Sequence, residues 1–287
     1  MRPTRKSLQS GRPPTARPTR RCMSREASRK LINKHHQLQK NQRRATAQGD
    51  EKTAAAITEE ISSLGGLSRY QQASLQGQRN DRGGDTSRVL LEWLPLDSVN
   101  KLSHRPRMLE VGCLSTRNAC SASGLFDMVH IDLNSQEPGI IQQDFMHRPL
   151  PEHASDKFDI ISLSLVLNFV PSPEERGQML LRTLSFLRHC HTPRQARSEL
   201  PFPSLFLVLP RSCVDNSRYF TDERLWSIME SLGYSLERSK KTQKLAYSLW
   251  VKPPDTRVTH HAFPKTEINS GRTRNNFSIT LTKVPPT

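Results

Sequence analysis

From residue 106 onward, the chain alternates short apolar runs with longer amphipathic stretches. Five apolar runs predict strands, at 107–111, 128–133, 139–145, 158–167 and 204–210. Several of these runs are apolar at nearly every position, which is typical of strands whose two faces are both covered by helices. Extended patterns at 234–240, 244–252 and 275–282 predict further strand pairing near the C-terminus. Strands that alternate with helices indicate an α/β fold with a doubly wound, mostly parallel sheet.

Two helices between these strands have clear start signals. The first follows Ser172 as its cap and has a proline and two glutamates in its first turn, where the helix dipole favours negative charge. The second follows Thr221 and ends before Gly233, and its apolar side chains recur on one face. A shorter amphipathic helix is predicted over 86–94, directly before a proline.

The chain divides into three predicted parts. Residues 1–23 consist largely of proline, arginine, threonine and serine, so we expect a disordered basic tail. Residues 24–85 form a basic helical extension, and residues 86–287 form the α/β domain. Within the extension, the pattern predicts three helices, at 24–48, 51–64 and 67–78.

The positive charge lies at both ends of the chain. The sequence contains 43 lysine and arginine residues against 27 aspartate and glutamate residues, which gives a net charge of +16. Residues 1–44 carry +13 and residues 238–287 carry +8, whereas residues 45–237 carry −5. Basic ends beside a slightly acidic body favour a polyanionic partner, with nucleic acid as the first candidate, because phosphate contacts release bound counterions. A solvated tail or a nuclear-import signal would have the same composition.

Several other classes of protein are disfavoured. No run approaches the roughly 18 apolar residues that a membrane span needs, and the first 21 residues lack the apolar core of a secretory signal. Their prolines would disrupt an amphipathic mitochondrial presequence, so we expect a nuclear or cytosolic protein. The five cysteines contain no C-x-x-C pair, so neither a disulfide framework nor a metal site is predicted. His189-Cys190-His191 is interpreted as the polar end of a helix.

Acidic residues follow three successive predicted strands, and they suggest a cofactor site. In a doubly wound sheet, ligands bind at the carboxyl ends of the strands. Asp132 lies 20 residues beyond Gly112, the spacing at which a carboxylate reaches the hydroxyls of a bound ribose. Asp144 could accept a hydrogen bond from an adenine amine, with the backbone or the ring of Phe145 supplying the remaining contacts. Together with Glu110, these four residues are the candidate cofactor-binding residues.

The turn after the first strand distinguishes between two kinds of cofactor. A dinucleotide pyrophosphate requires a G-x-G-x-x-G turn, but Leu114, Thr116 and Asn118 stand where the later glycines would be. S-adenosylmethionine carries no phosphate, so one glycine that lets the backbone approach the ligand is enough. The pattern therefore favours a methyltransferase that uses S-adenosylmethionine. Taken singly, Gly112 could equally be a tight strand exit, Asp132 a helix cap and Asp144 a turn residue.

Longer motifs resemble a known family. These motifs are "LEVG" (109–112), "IDLNS" (131–135), "QQDFM" (142–146), "SLVLNFVPSPEERGQML" (164–180), "LFLVLPRSCVDNSRY" (205–219) and "RNNFSITL" (274–281). They are similar to the fungal methyltransferases that modify ring nitrogen 1 of an adenine in 25S ribosomal RNA, and the resemblance covers residues 86–283. It implies a class I, Rossmann-like methyltransferase fold, a nucleolar location, ribosomal RNA or a pre-ribosomal particle as partner, and cofactor contacts at Gly112 and Asp132.

Candidate substrate residues follow the fourth and fifth strands. Ring nitrogen 1 of adenine has a lone pair, so its methylation needs orientation of the base more than it needs a strong general base. Asn168 and Phe169 are the candidate catalytic residues, placed to face the target base, and Asn216, Arg218 and Tyr219 are candidate RNA-binding residues. Core packing for Phe169 and an ion pair for Arg218 are the alternative roles.

Two alternative functions would use the same cofactor pocket. The resemblance includes a vertebrate relative thought to sense S-adenosylmethionine, so a sensor that binds the cofactor and docks a partner without chemistry is one alternative. A small-molecule methyltransferase, for which the basic arm would be only an import signal, is the other. The basic ends favour the RNA enzyme, because a sensor needs no polyanion contact. We expect a monomer without a metal or a membrane contact.

Overall fold

The computed structural model describes residues 25–66, 84–135, 137–188, 200–254, 256–259 and 261–282. The predicted tail, the helix predicted at 67–78 and the His189–His191 cluster lie outside these residues. Within the described part of the chain, no helix combines the length and the apolar character that crossing a membrane requires.

The described residues form eight α-helices, a 3-10 turn at Ala154–Asp156 and seven strands. The helices are α1 (Arg25–Ala47), α2 (Glu51–Ser63), α3 (Ser87–Trp93), α4 (Leu96–Asn100), α5 (Ala119–Ser123), α6 (Pro173–Phe186), α7 (Arg211–Asp215) and α8 (Asp222–Ser231). The strands are β1 (Arg107–Val111), β2 (Asp127–Asp132), β3 (Ile140–Gln142), β4 (Ile160–Ser164), β5 (Ser204–Pro210), β6 (Ser235–Lys241) and β7 (Leu245–Val251).

The seven strands form one sheet in the order β3-β2-β1-β4-β5-β7-β6. The first five are mutually parallel, and β7 runs antiparallel to both β5 and β6. The first strand, β1, lies in the middle of the sheet. The next two strands, β2 and β3, extend the sheet to one side of β1, and β4 then lies on the other side of β1. This reversal of strand order confirms the predicted doubly wound, mostly parallel sheet.

Both faces of the central strands are buried, as their apolar sequences predicted. On one face, Leu109 of β1, Ile161 of β4 and Leu207 of β5 pack in the cluster that contains α6 and α8. On the other face, Met108 and Ile160 pack in the cluster that contains α3. Successive residues of a strand point to opposite faces, so continuous apolar runs are needed to fill both clusters.

The predicted helix caps are present. The Ser172 hydroxyl accepts hydrogen bonds from the backbone N–H groups of Glu174 and Glu175, both at 3.2 Å, and so begins α6. The Thr221 hydroxyl accepts from the N–H of Arg224 at 3.2 Å and begins α8. The first turn of α6 therefore lies directly after the loop that follows β4.

The prediction of a strand at 275–282 is wrong, although its side chains are buried as the alternation suggested. This C-terminal segment makes only isolated bridges, between Asn275 and Ser217 and between Leu281 and Phe263. The N–H of Thr280 donates to the carbonyl of a proline at the start of α6. Its backbone thus pairs with irregular chain and a helix end, and it lies on α6 instead of joining the sheet.

Helices α1 and α2 form a basic hairpin. They correspond to the helices predicted at 24–48 and 51–64. Lys34 pairs with Glu60 at 2.6 Å, and the Gln42 amide donates to the Thr58 hydroxyl at 2.7 Å. Leu38 is buried in this hairpin. The division of the chain into tail, extension and methyltransferase domain stays a prediction.

Candidate functional site

The predicted cofactor residues meet at the carboxyl edge of the sheet, where β1, β2 and β3 end side by side. Gly112 leaves β1 with φ +73°, and its N–H donates to the Ile131 carbonyl of β2 at 2.9 Å. A Cβ atom added to Gly112 would lie 2.8 Å from Cγ2 of Val166. Both the left-handed backbone and the close approach of the loop after β4 therefore require glycine here.

Glu110 of β1 points into a polar cluster behind this turn. Its carboxylate accepts a hydrogen bond from the Asn118 amide at 2.7 Å, and Nε2 of His130 lies 3.7 Å away. The Asn118 side chain in turn caps α5 by accepting from the N–H of Ser121 at 3.0 Å. Burial raises the pKa of Glu110 to about 7, so the carboxyl changes its charge near neutral pH.

Glu110, Cys113 and His130 are the side chains here that could hold a metal, since their donor atoms lie within 4.8 Å of one another. Burial raises the pKa of the Cys113 thiol, and this thiol donates to the Ser115 carbonyl at 3.3 Å. His130 is hydrogen-bonded to the Ser121 hydroxyl at 2.8 Å. In this structure the three side chains are tied by hydrogen bonds to the turn after β1 and to the start of α5.

Asp132 ends β2 and is half-buried beside the turn at Gly112. Its carboxylate accepts from the N–H of Asn134 at 2.8 Å, and its carbonyl accepts from the N–H of Gln143, just beyond β3, also at 2.8 Å. The next residue, Leu133, is 61% exposed at this edge. An exposed leucine beside a fixed carboxylate offers an apolar surface next to a hydrogen-bond acceptor, and the sequence interpretation missed it.

Asp144 and Phe145 follow β3, but only one of their side chains faces outward. The Asp144 carboxylate accepts from the N–H of Met146 at 2.8 Å and lies 3.0 Å from Nδ1 of His147. The Phe145 ring is 2% exposed and packs against the ring of Phe186. Of the two contacts predicted for Phe145, the one through its ring is wrong, because the ring belongs to the core; the contact through its backbone stays a prediction.

The loop after β4 faces this cofactor edge and holds a strained residue. Leu165 has φ +58°, a conformation that costs a non-glycine residue on the order of 1–2 kcal/mol. Its N–H donates to the Val208 carbonyl of β5 at 2.9 Å, and the preceding Ser164 hydroxyl is hydrogen-bonded to Thr86 at 2.7 Å. These contacts hold the chain in a sharp turn that directs the next residues across the carboxyl edge.

Asn168, a predicted catalytic residue, lies in that turn with an unused hydrogen-bond acceptor. Its side-chain oxygen, Oδ1, is buried and has no hydrogen-bond partner among the described residues. Leaving such an oxygen unpaired costs about 1–3 kcal/mol. The N–H of Phe169 donates to the Val166 carbonyl at 2.9 Å, which closes the turn. Asn168 therefore holds a buried acceptor whose hydrogen-bonding capacity is not used by the described residues.

Arg218, a predicted RNA-binding residue, contacts the loop 268–276. Its guanidinium donates to the Gly271 carbonyl at 2.9 Å and lies at the limit of hydrogen bonding, 3.4 Å, from the Asn276 side chain. Its own carbonyl accepts from the N–H groups of Ile268 and Asn269. Arg218 thus holds the loop 268–276, and among the described residues its side chain forms no ion pair with a carboxylate; its role in RNA binding stays a prediction.

The other two predicted RNA-binding residues lie on the surface beside this loop. The Asn216 side chain is exposed, and its carbonyl accepts from the N–H of Asn275 at 2.9 Å. The ammonium group of Lys265 lies 4.4 Å from the centre of the Tyr219 ring. A base or a phosphate could reach both an aromatic face and a cation here, whereas Asn216 mainly anchors the C-terminal segment.

A family profile described as "25S rRNA (adenine(2142)-N(1))-methyltransferase, Bmt2" matches residues 55–279. A relative from Saccharomyces cerevisiae with that enzyme name is 41% identical over 230 residues, which cover 78% of this chain and 63% of the relative. A Schizosaccharomyces pombe relative named 25S rRNA adenine-N(1) methyltransferase is 38% identical over 262 residues, covering 87% of this chain and 90% of the relative. The chain therefore spans a little under two thirds of the first relative.

Among solved structures, an Aquifex aeolicus SAM-dependent methyltransferase is 15% identical with a TM-score of 0.35, covering 58% of this chain and 94% of that one. The 16S rRNA methylase RmtB is 12% identical with a TM-score of 0.36, covering 78% and 74%. The assignment rests on the sequence matches and on the sheet, which has the class I methyltransferase fold that the resemblance implied. Because the profile covers most of its length, the chain belongs to the Bmt2 family of 25S rRNA (adenine(2142)-N(1))-methyltransferases.

Proposed function

We propose that this protein transfers a methyl group from S-adenosylmethionine to ring nitrogen 1 of an adenine in the RNA of the large ribosomal subunit. The observation that carries the proposal is the family match over residues 55–279, which includes every residue of the carboxyl edge described above. Two relatives named for this reaction support it over a small-molecule methyltransferase. The basic ends of the chain fit an RNA substrate.

The carboxyl edge fits S-adenosylmethionine. Gly112 leaves room for a ligand against the backbone, and the Asp132 carboxylate is placed for ribose hydroxyls. Asp144 and the exposed Leu133 provide an acceptor and an apolar surface for the adenine. Glu110, anionic above about pH 7, is the candidate partner for the cofactor's ammonium group. When bound, this cofactor would supply an electrophilic methyl group on a positively charged sulfur: a nitrogen lone pair forms the new N–C bond while the S–C bond breaks and its electrons return to sulfur.

The acceptor nitrogen needs little chemical activation. Ring nitrogen 1 of adenine carries an in-plane lone pair and no proton at neutral pH, so no side chain has to remove one before the bond forms. The protein's contribution is then to hold the base at the right distance and angle, which can lower the barrier by roughly 7–11 kcal/mol. This explains why the motif after β4 offers an amide and an aromatic ring but no strong base.

Asn168 is the residue best placed to orient the base. The exocyclic amine of adenine is adjacent to ring nitrogen 1, and the unpaired Oδ1 of Asn168 is an acceptor for that amine. Phe169 is half-buried and offers a ring for stacking. Ring nitrogen 1 lies on the Watson–Crick edge, so the target base must be unpaired or flipped out of its helix before Asn168 can bind it.

The surface beside the loop 268–276 would contact the surrounding RNA. Tyr219 and Lys265 offer stacking and charge, and Arg272 in the loop is exposed. Arg218 contributes indirectly by holding that loop in place. The basic residues of the N-terminal region add affinity that does not depend on sequence, because they contact phosphates wherever the RNA offers them.

The test is methyl transfer from tritium-labelled cofactor to total RNA from a strain that lacks this protein. The wild type should place label in 1-methyladenosine, and Asn168→Ala should reduce the rate while cofactor affinity stays unchanged. Label in small molecules alone would identify a small-molecule methyltransferase. Tight cofactor binding with no label in RNA would indicate a sensor, and either result would refute the proposal.

The proposed substrate implies a location and a partner. Large-subunit RNA is assembled in the nucleolus, so we propose that the protein acts there on a pre-ribosomal particle, as a monomer. A fluorescent fusion should concentrate in the nucleolus, and the protein should co-sediment with pre-60S particles. Sedimentation equilibrium of the free protein should give the mass of one chain, about 32.7 kDa; a dimer mass would refute the monomer.

A further inference from the structure

Arg176, in the first turn of α6, has an unusual set of partners for a buried arginine. It is 8% exposed, and its guanidinium donates three hydrogen bonds, all to backbone carbonyls. The Nε–H donates to Leu167 at 3.1 Å and to Val170 at 2.8 Å, and Nη1 donates to Ser278 at 2.7 Å. The first two carbonyls belong to the loop after β4, and the third belongs to the C-terminal segment.

The side chain stays charged in this position. Burial lowers the pKa of Arg176 to about 10, so the guanidinium remains protonated at neutral pH and its three hydrogen bonds are charge-assisted. It also lies 4.4 Å from the centre of the Phe277 ring. Moving an arginine out of water costs several kcal/mol, and an apolar residue of similar size would fill the space without that cost. The presence of arginine here therefore indicates a role that needs the planar guanidinium and its several N–H donors.

The two loop carbonyls bracket the proposed base-binding residues. Asn168 and Phe169 lie directly between Leu167 and Val170, so the guanidinium fixes the chain on both sides of them. None of the three bonds uses the Asn168 side chain, whose buried Oδ1 has no hydrogen-bond partner among the described residues.

The C-terminal segment fixes the other side of the arginine. A Cβ atom on Gly177, the next residue of α6, would overlap the carbonyl oxygen of Thr280, so helix and segment are in direct contact. The N–H of Thr280 also donates to the Pro173 carbonyl at 3.1 Å. The guanidinium thus links the loop after β4 to the C-terminal segment, which is itself packed against α6.

We propose that Arg176 is a positioning residue for the methyl-transfer reaction: it holds the loop 167–170 so that the Asn168 side-chain carbonyl faces the target base. This inference rests on the proposed function. It does not place Arg176 in contact with the base or with the cofactor; the arginine acts through Asn168.

The first test is Arg176→Lys, which keeps the charge but loses the planar fork that reaches three carbonyls. We expect kcat for RNA methylation to fall about 10- to 100-fold, since a misplacement of about 1 Å has this effect, while KM for S-adenosylmethionine stays within about twofold. The matched control is Arg188→Lys, because Arg188 pairs with Asp159 at 2.9 Å near the opposite end of β4. This control should keep kcat.

A double-mutant cycle separates positioning from general loss of structure. If Arg176 acts through Asn168, then Arg176→Lys should cost much less in kcat when Asn168→Ala is already present. Costs that multiply independently in the double variant would overturn the proposal, as would a rise in KM for the cofactor with kcat unchanged. If Arg176→Lys does not fold, Phe277→Leu removes the ring beneath the guanidinium and should also lower kcat without changing that KM.

A third readout does not depend on activity. Amide hydrogen exchange of Arg176→Lys should increase in peptides that span 165–170 and 277–281 and stay unchanged in β1 and β2. Exchange that is unchanged in the loop would overturn the positioning role even in an inactive protein. If the wild type methylates no RNA but the loop still loosens, then the proposed function fails while the structural link holds, so the two failures can be distinguished.

Discussion

Gly112→Ala should weaken cofactor binding through a clash that the structure defines. Alanine at φ +73° costs on the order of 1–2 kcal/mol in backbone strain. In addition, its Cβ would lie 2.8 Å from Cγ2 of Val166, and ordinary contact begins near 3.4 Å. The two chains must therefore separate by roughly 0.6 Å, and overpacking of this kind costs about 1–3 kcal/mol.

Gly124→Ala is the matched control. Gly124 has φ +69°, almost the same as Gly112, but an added Cβ would meet nothing within 4 Å. Gly124→Ala should therefore lose only the stability that backbone strain costs. Each kcal/mol lost should lower Tm by about 2–4 °C. Gly112→Ala should lose more stability than this control, and its additional loss measures the clash with Val166.

Calorimetric titration with S-adenosylmethionine distinguishes the two variants. We expect Kd to rise at least tenfold in Gly112→Ala, which corresponds to about 1.4 kcal/mol, and to stay unchanged in Gly124→Ala. Adding Val166→Ala to Gly112→Ala removes the atom that is too close and should restore part of the affinity. Normal affinity in Gly112→Ala, or an equal loss in the control, would refute the assignment of this turn as the cofactor cradle.

Three further predictions concern charge. Asp132→Ala should abolish calorimetrically detectable cofactor binding, whereas Asp127→Asn, at the other end of β2, should not change it. Deleting residues 1–48 should weaken RNA binding and flatten its dependence on salt in filter-binding assays, with cofactor affinity intact; unchanged RNA binding would exclude the arm from recognition. Because burial raises the pKa of Glu110 to about 7, its neutral form stabilises the fold at low pH, and this contribution disappears as pH rises from about 4.5 through 7. Glu110→Gln should remove that part of the pH dependence in chemical denaturation, and an unchanged profile would contradict the raised pKa.

The sequence predicted the central strands and the capped helices well, because their signals are local. The bounds of β1 and β5 match the apolar runs at 107–111 and 204–210. Ser172 caps α6 and Thr221 caps α8, as predicted. Residues at consecutive strand ends could be grouped into one site, since parallel strands bring their carboxyl ends to the same edge. Local pattern and topology were together sufficient to predict that Gly112, Asp132 and Asp144 lie at one edge of the sheet; that this edge binds the cofactor stays a prediction.

The substrate side was harder to predict because its contacts join distant parts of the chain. Arg176 and Ser278 are 102 positions apart, and no periodicity links them. Alternation at 275–282 predicted a strand, but alternation reports only burial and cannot identify the partner, which is α6. Phe145 was assigned to the ligand from its position after the third predicted strand, and only its contact with Phe186 shows that its ring is core.

The hydrogen bond between Arg176 and Ser278 also has a consequence for the order of folding. During synthesis, β1 to β4 and α6 leave the ribosome well before residue 278 does, so the sheet and the cofactor edge can form while the loop 167–170 still lacks one of its supports. Closing a connection of about 100 residues is entropically slow compared with local contacts. The loop 167–170 can therefore gain this support only after residue 278 has been synthesised, so a nascent chain would form the proposed cofactor edge before the loop that we propose orients the base.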